Sequence, residues 1–153
     1  MDTLTESEAR QFLEEAPVAH VAVISDGEPY VTPMSFVLDG DRILFRTKPG
    51  RRLSAIQDNP VVSLEASSYD EQTGDWTSVI VKGTAREVED PETIQLTLEL
   101  LFDKYRKALG SPLGRGGIQP LASFPRVIEV TIDEISGRAS GGLFGVRTRP
   151  GRL

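Results

Sequence analysis

The sequence has few of the residues on which most catalytic and metal centres depend. It contains no cysteine and a single histidine, His20, among 153 residues. Without cysteine the chain has no disulfide, no thiolate nucleophile and no cysteine-based zinc site. One histidine provides neither an imidazole cluster for a metal nor a second candidate base for a serine-based triad. We therefore predict no metal site and no catalytic side chain, and we interpret His20 as a structural residue at the start of a core strand.

Long hydrophobic runs are also absent from the sequence. Its longest apolar segments fall well below the roughly 20 residues that span a bilayer as a helix. The acidic N-terminus lacks the basic and apolar regions of a signal peptide. We therefore expect a cytoplasmic protein with no membrane partner. Hydrophobic residues make up 39% and charged residues 26% of the chain, which is typical of a globular protein with one compact domain.

The basic residues are concentrated in two stretches, although the formal net charge is −6. Residues 42–57 and 138–153 contain no aspartate or glutamate. Their cations are Arg42, Arg46, Lys48, Arg51 and Arg52 in the first stretch and Arg138, Arg147, Arg149 and Arg152 in the second. Proteins that bind a phosphate backbone normally present a dominant basic face. We therefore expect no nucleic acid as a partner, whereas a small anionic ligand suits an isolated basic stretch.

Turn residues and hydrophobic periodicity divide the chain into short strands and three helices. Thr5 and Glu8 have the spacing of a capping box and predict a helix over 6–15. Asp90 and Pro91 predict the start of a long helix over 91–108, and a short helix is predicted over 52–57. Segments rich in β-branched residues predict strands over 18–24, 30–38, 43–47, 61–67, 76–88 and 127–135. Gly83 inside one of these strands indicates a bulge or a bend.

The order of these elements favours a mainly β fold. Strands joined by tight turns, with helices inserted late, predict an all-β barrel with flanking helices, in which the first strands form an antiparallel meander. We assign residues 1–137 to this domain. We interpret residues 138–153 as a loosely held basic tail rich in glycine and arginine.

The first candidate ligand site is the segment 45–52. It combines a strand end, the hydroxyl of Thr47, the backbone amides of a turn and the start of a helix, which together suit one phosphate group. Its cations are Arg46, Lys48, Arg51 and Arg52. The alternative interpretation is a solvated basic loop. The absence of acids nearby in the sequence favours a ligand.

Two further segments are candidates for ligand contacts. Pro33 lies in the middle of a predicted strand, which indicates a sheet edge or an interrupted ladder with free backbone groups. Trp76 and Ser78 begin the long strand over 76–88. A lone tryptophan is more often a core or interface anchor than a ligand stacker, so both interpretations of Trp76 stay open.

The order and spacing of these motifs resemble one protein family. The segments that carry the resemblance are His20–Val23, Asp26–Pro33, Ile43–Thr47, Gly50–Pro60, Trp76–Val79 and Gly83. Over about residues 5–137 they resemble the pyridoxamine 5'-phosphate oxidase-like family of flavin-binding split barrels. The resemblance implies a six-stranded antiparallel split β-barrel that forms a homodimer, with two flavin mononucleotide (FMN) sites at the subunit interface.

The resemblance also implies roles for individual residues. Those implied for the flavin phosphate are Thr47, Arg51, Arg52 and the nearby Lys48. Those implied for the isoalloxazine ring are Pro33, Met34, Ser35 and Phe36 and, from the other subunit, Trp76 and Ser78. Arg46 stands where the nitroimidazole-reductase-like branch often has histidine. Its extra charge suits a more highly charged cofactor tail, such as that of a deazaflavin coenzyme.

The departures from the family pattern bear on the substrate. Pyridoxamine phosphate oxidases bind their substrate with an arginine and a histidine near the C-terminus, and this chain has no histidine after His20. We therefore do not expect pyridoxamine phosphate as the substrate. The prediction is a flavin-dependent oxidoreductase with FMN or a deazaflavin, acting on a small organic molecule. The alternative is a binding protein of the same fold that holds a flavin, haem or another anionic ligand without turnover.

Overall fold

The computed structural model describes residues 1–106 and 126–140. The strands in these ranges are β1 (Asp2–Thr3), β2 (Ala19–Ser25), β3 (Glu28–Met34), β4 (Val37–Asp39), β5 (Arg42–Thr47), β6 (Val61–Tyr69), β7 (Trp76–Val88) and β8 (Arg126–Ala139). The helices are α1 (Glu6–Glu15), α2 (Arg51–Asp58) and α3 (Pro91–Tyr105). The end of the helix predicted over 91–108, the loop predicted over 110–120 and the residues Arg147, Arg149 and Arg152 of the predicted tail lie outside the described residues.

The strands form one antiparallel sheet whose two edges meet. The order is β3-β2-β6-β7-β8-β5-β4, and β1 pairs with the end of β8. β3 and β4 are at opposite ends of this order, yet only Ser35 and Phe36 connect them. Three Cα–Cα steps reach at most about 11 Å, so the sheet must roll up until its edges are adjacent. Counted as one bent strand, β3 and β4 complete a six-stranded barrel, which confirms the predicted split barrel.

The bend between β3 and β4 corrects one sequence prediction. We expected a continuous strand over 30–38, but it is interrupted at Ser35 and Phe36. Before the interruption the chain pairs with β2, and after it with β5. At the interruption the Phe36 side chain is fully buried, with 0% exposure. The backbone groups of Phe36 bond to side chains of α3 instead of a neighbouring strand.

Local sequence chemistry explains the hairpin between β2 and β3. Asp26 and Gly27 both have positive φ, 52° and 77°, as the two central residues of a type I′ turn do. Ser25 and Glu28 are the pair that closes the ladder. This turn matches the right-handed twist of the flanking strands, so it fixes the register of the hairpin.

Gly83 lies at a bulge in β7, as predicted. The register between β7 and β8 shifts between Lys82 and Gly83. A Cβ atom on Gly83 would overlap the Val130 side chain and would lie 2.6 Å from the Thr131 carbonyl oxygen. Only glycine therefore allows the two strands to approach this closely.

The barrel interior is filled by alternate residues of the strands, with α1 and α2 packed against it. The largest fully buried side chains are Phe36, Phe45, Leu13, Ile43, Leu44, Leu64, Ile128, Val21, Val23, Val62, Val79 and Val81. On the other face of β4 and β5, Leu101 of α3 packs with Val37 and Leu44. None of the helices within residues 1–106 and 126–140 combines the length and the apolar character needed to cross a bilayer.

Candidate functional site

Arg52, in the first turn of α2, connects two of the predicted ligand segments. Its Nε and Nη2 donate to Thr32 Oγ1 at 2.9 and 2.7 Å, and Nη2 also donates to the Pro33 carbonyl oxygen at 3.3 Å. Its Nη1 lies 3.5 Å from Thr47 Oγ1. Burial lowers the pKa of Arg52, but an arginine remains charged in proteins. The edge of β3 and the end of β5 therefore share one cation.

Arg51 is anchored to the same part of the sheet. Its Nε donates to Ser25 Oγ at 2.9 Å, and its guanidinium lies 4.2 Å from the centroid of the Tyr30 ring. A hydroxyl acceptor and an aromatic face orient a guanidinium without neutralising its charge. Two positioned positive charges are thus adjacent at the start of α2.

Carboxylates neutralise many of the other cations. Among residues 1–106 and 126–140, cations with a carboxylate within 4.0 Å are Arg10, Arg42, Lys82, Arg86, Arg106 and Arg126. Those without one in the same ranges are Arg46, Lys48, Arg51, Arg52, Lys104 and Arg138. The first four of this second group lie between the end of β5 and the start of α2, which we call the cation junction. The structure therefore concentrates unneutralised charge where the sequence predicted a phosphate site.

The cation junction is smaller than the basic stretch of the sequence. Arg42 begins that stretch, but its guanidinium binds Asp39 Oδ2 and Glu129 Oε2 at 2.9 and 2.8 Å. Asp39 and Glu129 lie outside residues 42–57, so a stretch without acids in the sequence is not free of acids in space. Arg42 therefore holds β4, β5 and β8 together, and Arg46 is the first cation of the stretch without a carboxylate partner among the described residues.

The start of α2 differs from the starts of the other two helices. Thr5 and Glu8 cap α1 reciprocally, and Asp90 accepts from the Thr93 N–H at the start of α3. The N-cap of α2 is Gly50, and no side chain of the described residues caps its first amides. The first turn carries two arginines, although a helix N-terminus favours negative charge. A bound anion would satisfy both the amides and the cations.

Arg46 and Lys48 are placed differently from the two anchored arginines. Arg46 is half-buried and points to the opposite face of β5 from the buried Thr47, because neighbouring residues of a strand alternate between faces. Lys48 is exposed in the loop that follows β5. The structure thus brings Thr47, Arg51 and Arg52 together, leaves Lys48 beside them and directs Arg46 away from Thr47.

The bend after β3 is held by two residues that the sequence did not indicate. The Phe36 N–H donates to Tyr105 Oη at 3.1 Å, and Lys104 Nζ donates to the Phe36 carbonyl oxygen at 2.9 Å. Lys104 Nζ also lies 3.8 Å from the centroid of the Phe36 ring. Burial lowers the pKa of Lys104 to about 8, although the charge of Glu14 opposes the shift. The backbone groups of Phe36 that we expected to be free are therefore bound by α3.

The side chains of the second segment divide between core and surface. Met34 and Phe36 are buried, whereas Pro33 and Ser35 are exposed. Pro33 and Ser35 lie at the edge of the sheet, next to the hydrogen bonds that Arg52 donates to β3. The sequence contains a signal for the position of Thr32, because Tyr30, Thr32 and Met34 alternate on one face of the strand. It does not indicate that Arg52 is the cation that binds Thr32.

The third segment lies elsewhere on the barrel. Trp76 and Ser78 begin β7, which is separated from β3 by β2 and β6. Ser78 Oγ donates to Glu65 Oε1 at 3.0 Å, and Glu65 Oε2 lies 3.4 Å from His20 Nδ1. The His20 side chain is 51% exposed. His20 lies at the start of the core strand β2, as expected, and its side chain faces outward there.

The fold and the match of this chain to a family model agree. A model described as pyridoxamine 5'-phosphate oxidase matches residues 5–139. The chain belongs to the pyridoxamine 5'-phosphate oxidase family. A curated relative is an uncharacterised protein of Rhizobium meliloti, which is 26% identical to this chain over 85 residues. The match spans 56% of each of the two chains.

Solved structures show the same fold at low sequence identity. An FAD-binding protein from Mesorhizobium loti superposes with a TM-score of 0.73 at 23% identity, covering 91% of this chain and 97% of that one. An FAD- and haem-binding protein from Mycobacterium smegmatis superposes with a TM-score of 0.71 at 20% identity, covering 90% of this chain and 72% of that one. These likenesses establish the fold of the chain.

Seen as a family member, one copy of the chain brings together two of its three expected ligand segments. The cation junction and the edge of β3 meet through Arg52, whereas Trp76 and Ser78 begin β7, which lies three strands along the sheet from β3. In the described ranges, no group of three or more His, Cys, Asp or Glu side chains is arranged to hold a metal ion. Within residues 1–106 and 126–140, the site consists of cations without carboxylate partners beside an open sheet edge.

Proposed function

We propose that this chain binds FMN, with its phosphate at the cation junction, and acts as a flavin-dependent oxidoreductase on a small organic substrate. The observation that supports the phosphate site is the pair Arg51 and Arg52. Hydroxyl groups hold both guanidiniums in place, and no carboxylate of the described residues neutralises them. Planar guanidinium forks and free amides at the helix start are well suited to phosphate oxygens.

The proposed position of the flavin ring is along the edge of β3. Pro33 and Ser35 are exposed there, and the buried Met34 and Phe36 hold the backbone in position from inside the barrel. A flavin supplies hydride and electron transfer itself, so the protein needs to provide binding, orientation and electrostatics. A site without cysteine is compatible with this division of labour.

We propose that the active form is a homodimer. Trp76 and Ser78 begin β7, which is separated from the proposed ring position on β3 by β2 and β6. The outer face of the sheet that carries them also exposes Ile24, Val31 and Ile80, with 36%, 56% and 45% exposure. Pairing through this face would cover apolar surface and bring the partner subunit's Trp76 to the flavin. Size-exclusion chromatography with light scattering measures the stoichiometry, and a monomer at micromolar concentration would exclude this arrangement.

The identity of the cofactor follows from a binding comparison. Related structures are described as binding FAD, or FAD and haem, and Lys48 adds a charge that a diphosphate could use. The purified protein is examined for flavin or haem absorption bands, and the apoprotein is then titrated with FMN, FAD and a deazaflavin. Tightest binding of FMN is expected. A colourless protein that binds none of the flavins would refute the proposal.

The phosphate contact is tested with matched variants. We expect Arg51→Gln combined with Arg52→Gln to weaken FMN binding by at least about tenfold, or about 1.4 kcal/mol. Arg106→Gln is the control, because Arg106 is exposed and pairs with Asp103 on α3. Equal FMN affinities for the double variant and this control would contradict the phosphate assignment.

Turnover separates the proposed enzyme from a binding protein. The flavin-loaded protein is supplied with a reduced nicotinamide and general electron acceptors, and the oxidation of the nicotinamide is followed. Steady oxidation above the rate of free flavin is expected. Tight flavin binding without turnover would instead favour the alternative, a carrier of the same fold.

A further inference from the structure

A concave surface lies on the outer face of the barrel between β7 and β8, away from the cation junction. It has a volume of about 180 Å³ and is lined by Trp76, Ser78, Ile80, Ser136, Gly137 and Arg138. Ser78 and Arg138 are paired at their Cα atoms, so their side chains are direct neighbours across the two strands. Trp76 is the next residue on the same face of β7 and lies diagonal to Arg138. The pocket therefore combines an indole, a guanidinium and hydroxyl groups.

The charge of Arg138 has no counterpart in the described parts of the chain. Its side chain is exposed and makes no ion pair or hydrogen bond with residues 1–106 or 126–140. The nearby carboxylate of Glu65 is bound by Ser78 Oγ and faces His20. Arg138 is therefore available to an anion in a way that the paired arginines of the barrel are not.

The rest of the pocket limits the size and shape of such an anion. Drug-sized ligands usually occupy pockets of about 300–1,000 Å³, so about 180 Å³ suits a single ring better than a dinucleotide. Trp76 is only partly buried, and its backbone is fixed by hydrogen bonds with Ser140 at 2.8 and 2.9 Å. Its indole offers a flat apolar face to a planar ring.

We propose that this pocket binds a single-ring aromatic carboxylate, with its carboxylate on Arg138 and its ring against Trp76. Arginine is suited to this group because its planar fork donates two parallel hydrogen bonds to a carboxylate. In the proposed homodimer the pocket would lie beside the partner's flavin, so its use as a substrate site rests on the proposed function. The binding of the carboxylate to flavin-free protein does not depend on the proposed function.

The single tryptophan of the chain makes this pocket directly observable. Flavin-free protein is titrated with benzoate and, separately, with benzamide, while the fluorescence of Trp76 is recorded. The two probes have the same ring and nearly the same size, but only benzoate is charged. We expect a saturable fluorescence change with benzoate and binding at least about tenfold weaker with benzamide. Equal affinities, or no saturable change with benzoate, would overturn the proposal.

Variants of Arg138 test the assignment of the charge. We expect Arg138→Gln to weaken benzoate binding by about tenfold or more and Arg138→Lys to weaken it less, because lysine keeps the charge and loses the fork. Arg106→Gln should bind benzoate as the unmodified protein does. Unchanged benzoate binding in Arg138→Gln would refute the proposal, and Arg138→Lys provides the test if the glutamine variant does not fold.

The same variants distinguish this inference from the proposed function. The Arg51→Gln, Arg52→Gln double variant should lose FMN affinity and keep its benzoate affinity. If the unmodified protein binds benzoate but no flavin, the aromatic carboxylate site stands and the proposed cofactor fails. If it binds FMN but not benzoate, the inference about Arg138 fails and the proposed cofactor stands.

Discussion

Two nitrogens of Arg52 donate to a single oxygen, Thr32 Oγ1, at 2.9 and 2.7 Å. This contact joins the start of α2 to the open edge of β3. No backbone hydrogen bond of the described residues connects these two elements. The Thr32 contact also fixes the orientation of a guanidinium that has no carboxylate partner among the described residues. The proposed phosphate site is therefore held by a threonine that carries no charge itself.

Replacing Thr32 with valine keeps the shape of the side chain and removes the acceptor. Hydrogen bonds to charged groups contribute about 1.5–3 kcal/mol, so we expect Thr32→Val to lower the free energy of unfolding by about 1–2 kcal/mol and to weaken FMN binding. Urea denaturation and FMN titration measure the two effects. Thr77→Val, at a half-buried position of β7, is the control, and an equal loss in both variants would contradict this role of Thr32.

Gly83 offers a test of the close approach between β7 and β8. We expect Gly83→Ala to lower the free energy of unfolding by about 2 kcal/mol or more, because the new methyl group would overlap Val130 and the Thr131 backbone. Thermal and urea denaturation measure it. Lys82→Ala, at the neighbouring exposed position, should change stability by less than about 0.5 kcal/mol. A Gly83→Ala protein as stable as this control would show that the strands can separate there.

Lys104 predicts a particular pH dependence of stability. Burial lowers its pKa to about 8 in the folded chain, against about 10.4 in an unfolded chain. Between these values the unfolded state binds more protons, so the contribution of Lys104 to stability rises with pH. We expect Lys104→Met to flatten the rise from about pH 8 to about pH 10, measured by urea denaturation. The exposed Lys82→Met is the control, and identical slopes for the two variants would contradict the burial of Lys104.

The burial of Tyr105 sets the upper limit of this pH range. Burial raises the pKa of Tyr105, although its hydrogen bonds with Phe36 and Ser35 oppose the shift. Above about pH 10 the unfolded chain loses the tyrosine proton first, so the folded state binds more protons and stability falls with rising pH. Comparisons of Lys104→Met are therefore cleanest below about pH 10.

Glu129 predicts a dependence at the acid side. Burial alone would raise its pKa, but hydrogen bonds from Arg86 and Arg42 outweigh this effect and lower it. The stabilisation is therefore present above about pH 4.3 and is lost as the pH falls through the lowered folded value. We expect Glu129→Gln to cost about 1–2 kcal/mol near pH 7, and the difference from the unmodified protein to shrink towards about pH 3.

Urea denaturation over this pH range measures the effect of Glu129. Glu134→Gln is the control, because the Glu134 side chain is 64% exposed and lies 3.8 Å from Lys82. A constant difference between Glu129→Gln and the unmodified protein, from neutral to acid pH, would mean that the carboxylate contributes by shape alone.

Features with a local cause were predictable from the sequence. The capping residues Thr5 and Asp90 mark the starts of α1 and α3, and the Asp26–Gly27 turn sets the hairpin. Gly83 marks the bulge in β7. In each case the residues that determine the structure lie within a few positions of it, so their spacing is visible in the sequence.

Features with distant causes were not predictable. The bend at Phe36 depends on Lys104, 68 residues later in the chain. Arg42 is neutralised by Glu129, 87 residues later. The outward position of Arg46 follows from the alternation in β5, which the sequence contains. The phase of this alternation is set by the packing of Thr47, which is buried on the opposite face.

The position of β8 has a consequence for how the chain is made. β8 fills the gap between β7 and β5 and also pairs with β1, yet it is the last strand of the described fold to leave the ribosome. Until it emerges, β5 and β7 each present a long unpaired edge that other chains can bind. A nascent chain that pauses within α3 therefore exposes both edges to aggregation, because the barrel cannot close before β8 is made.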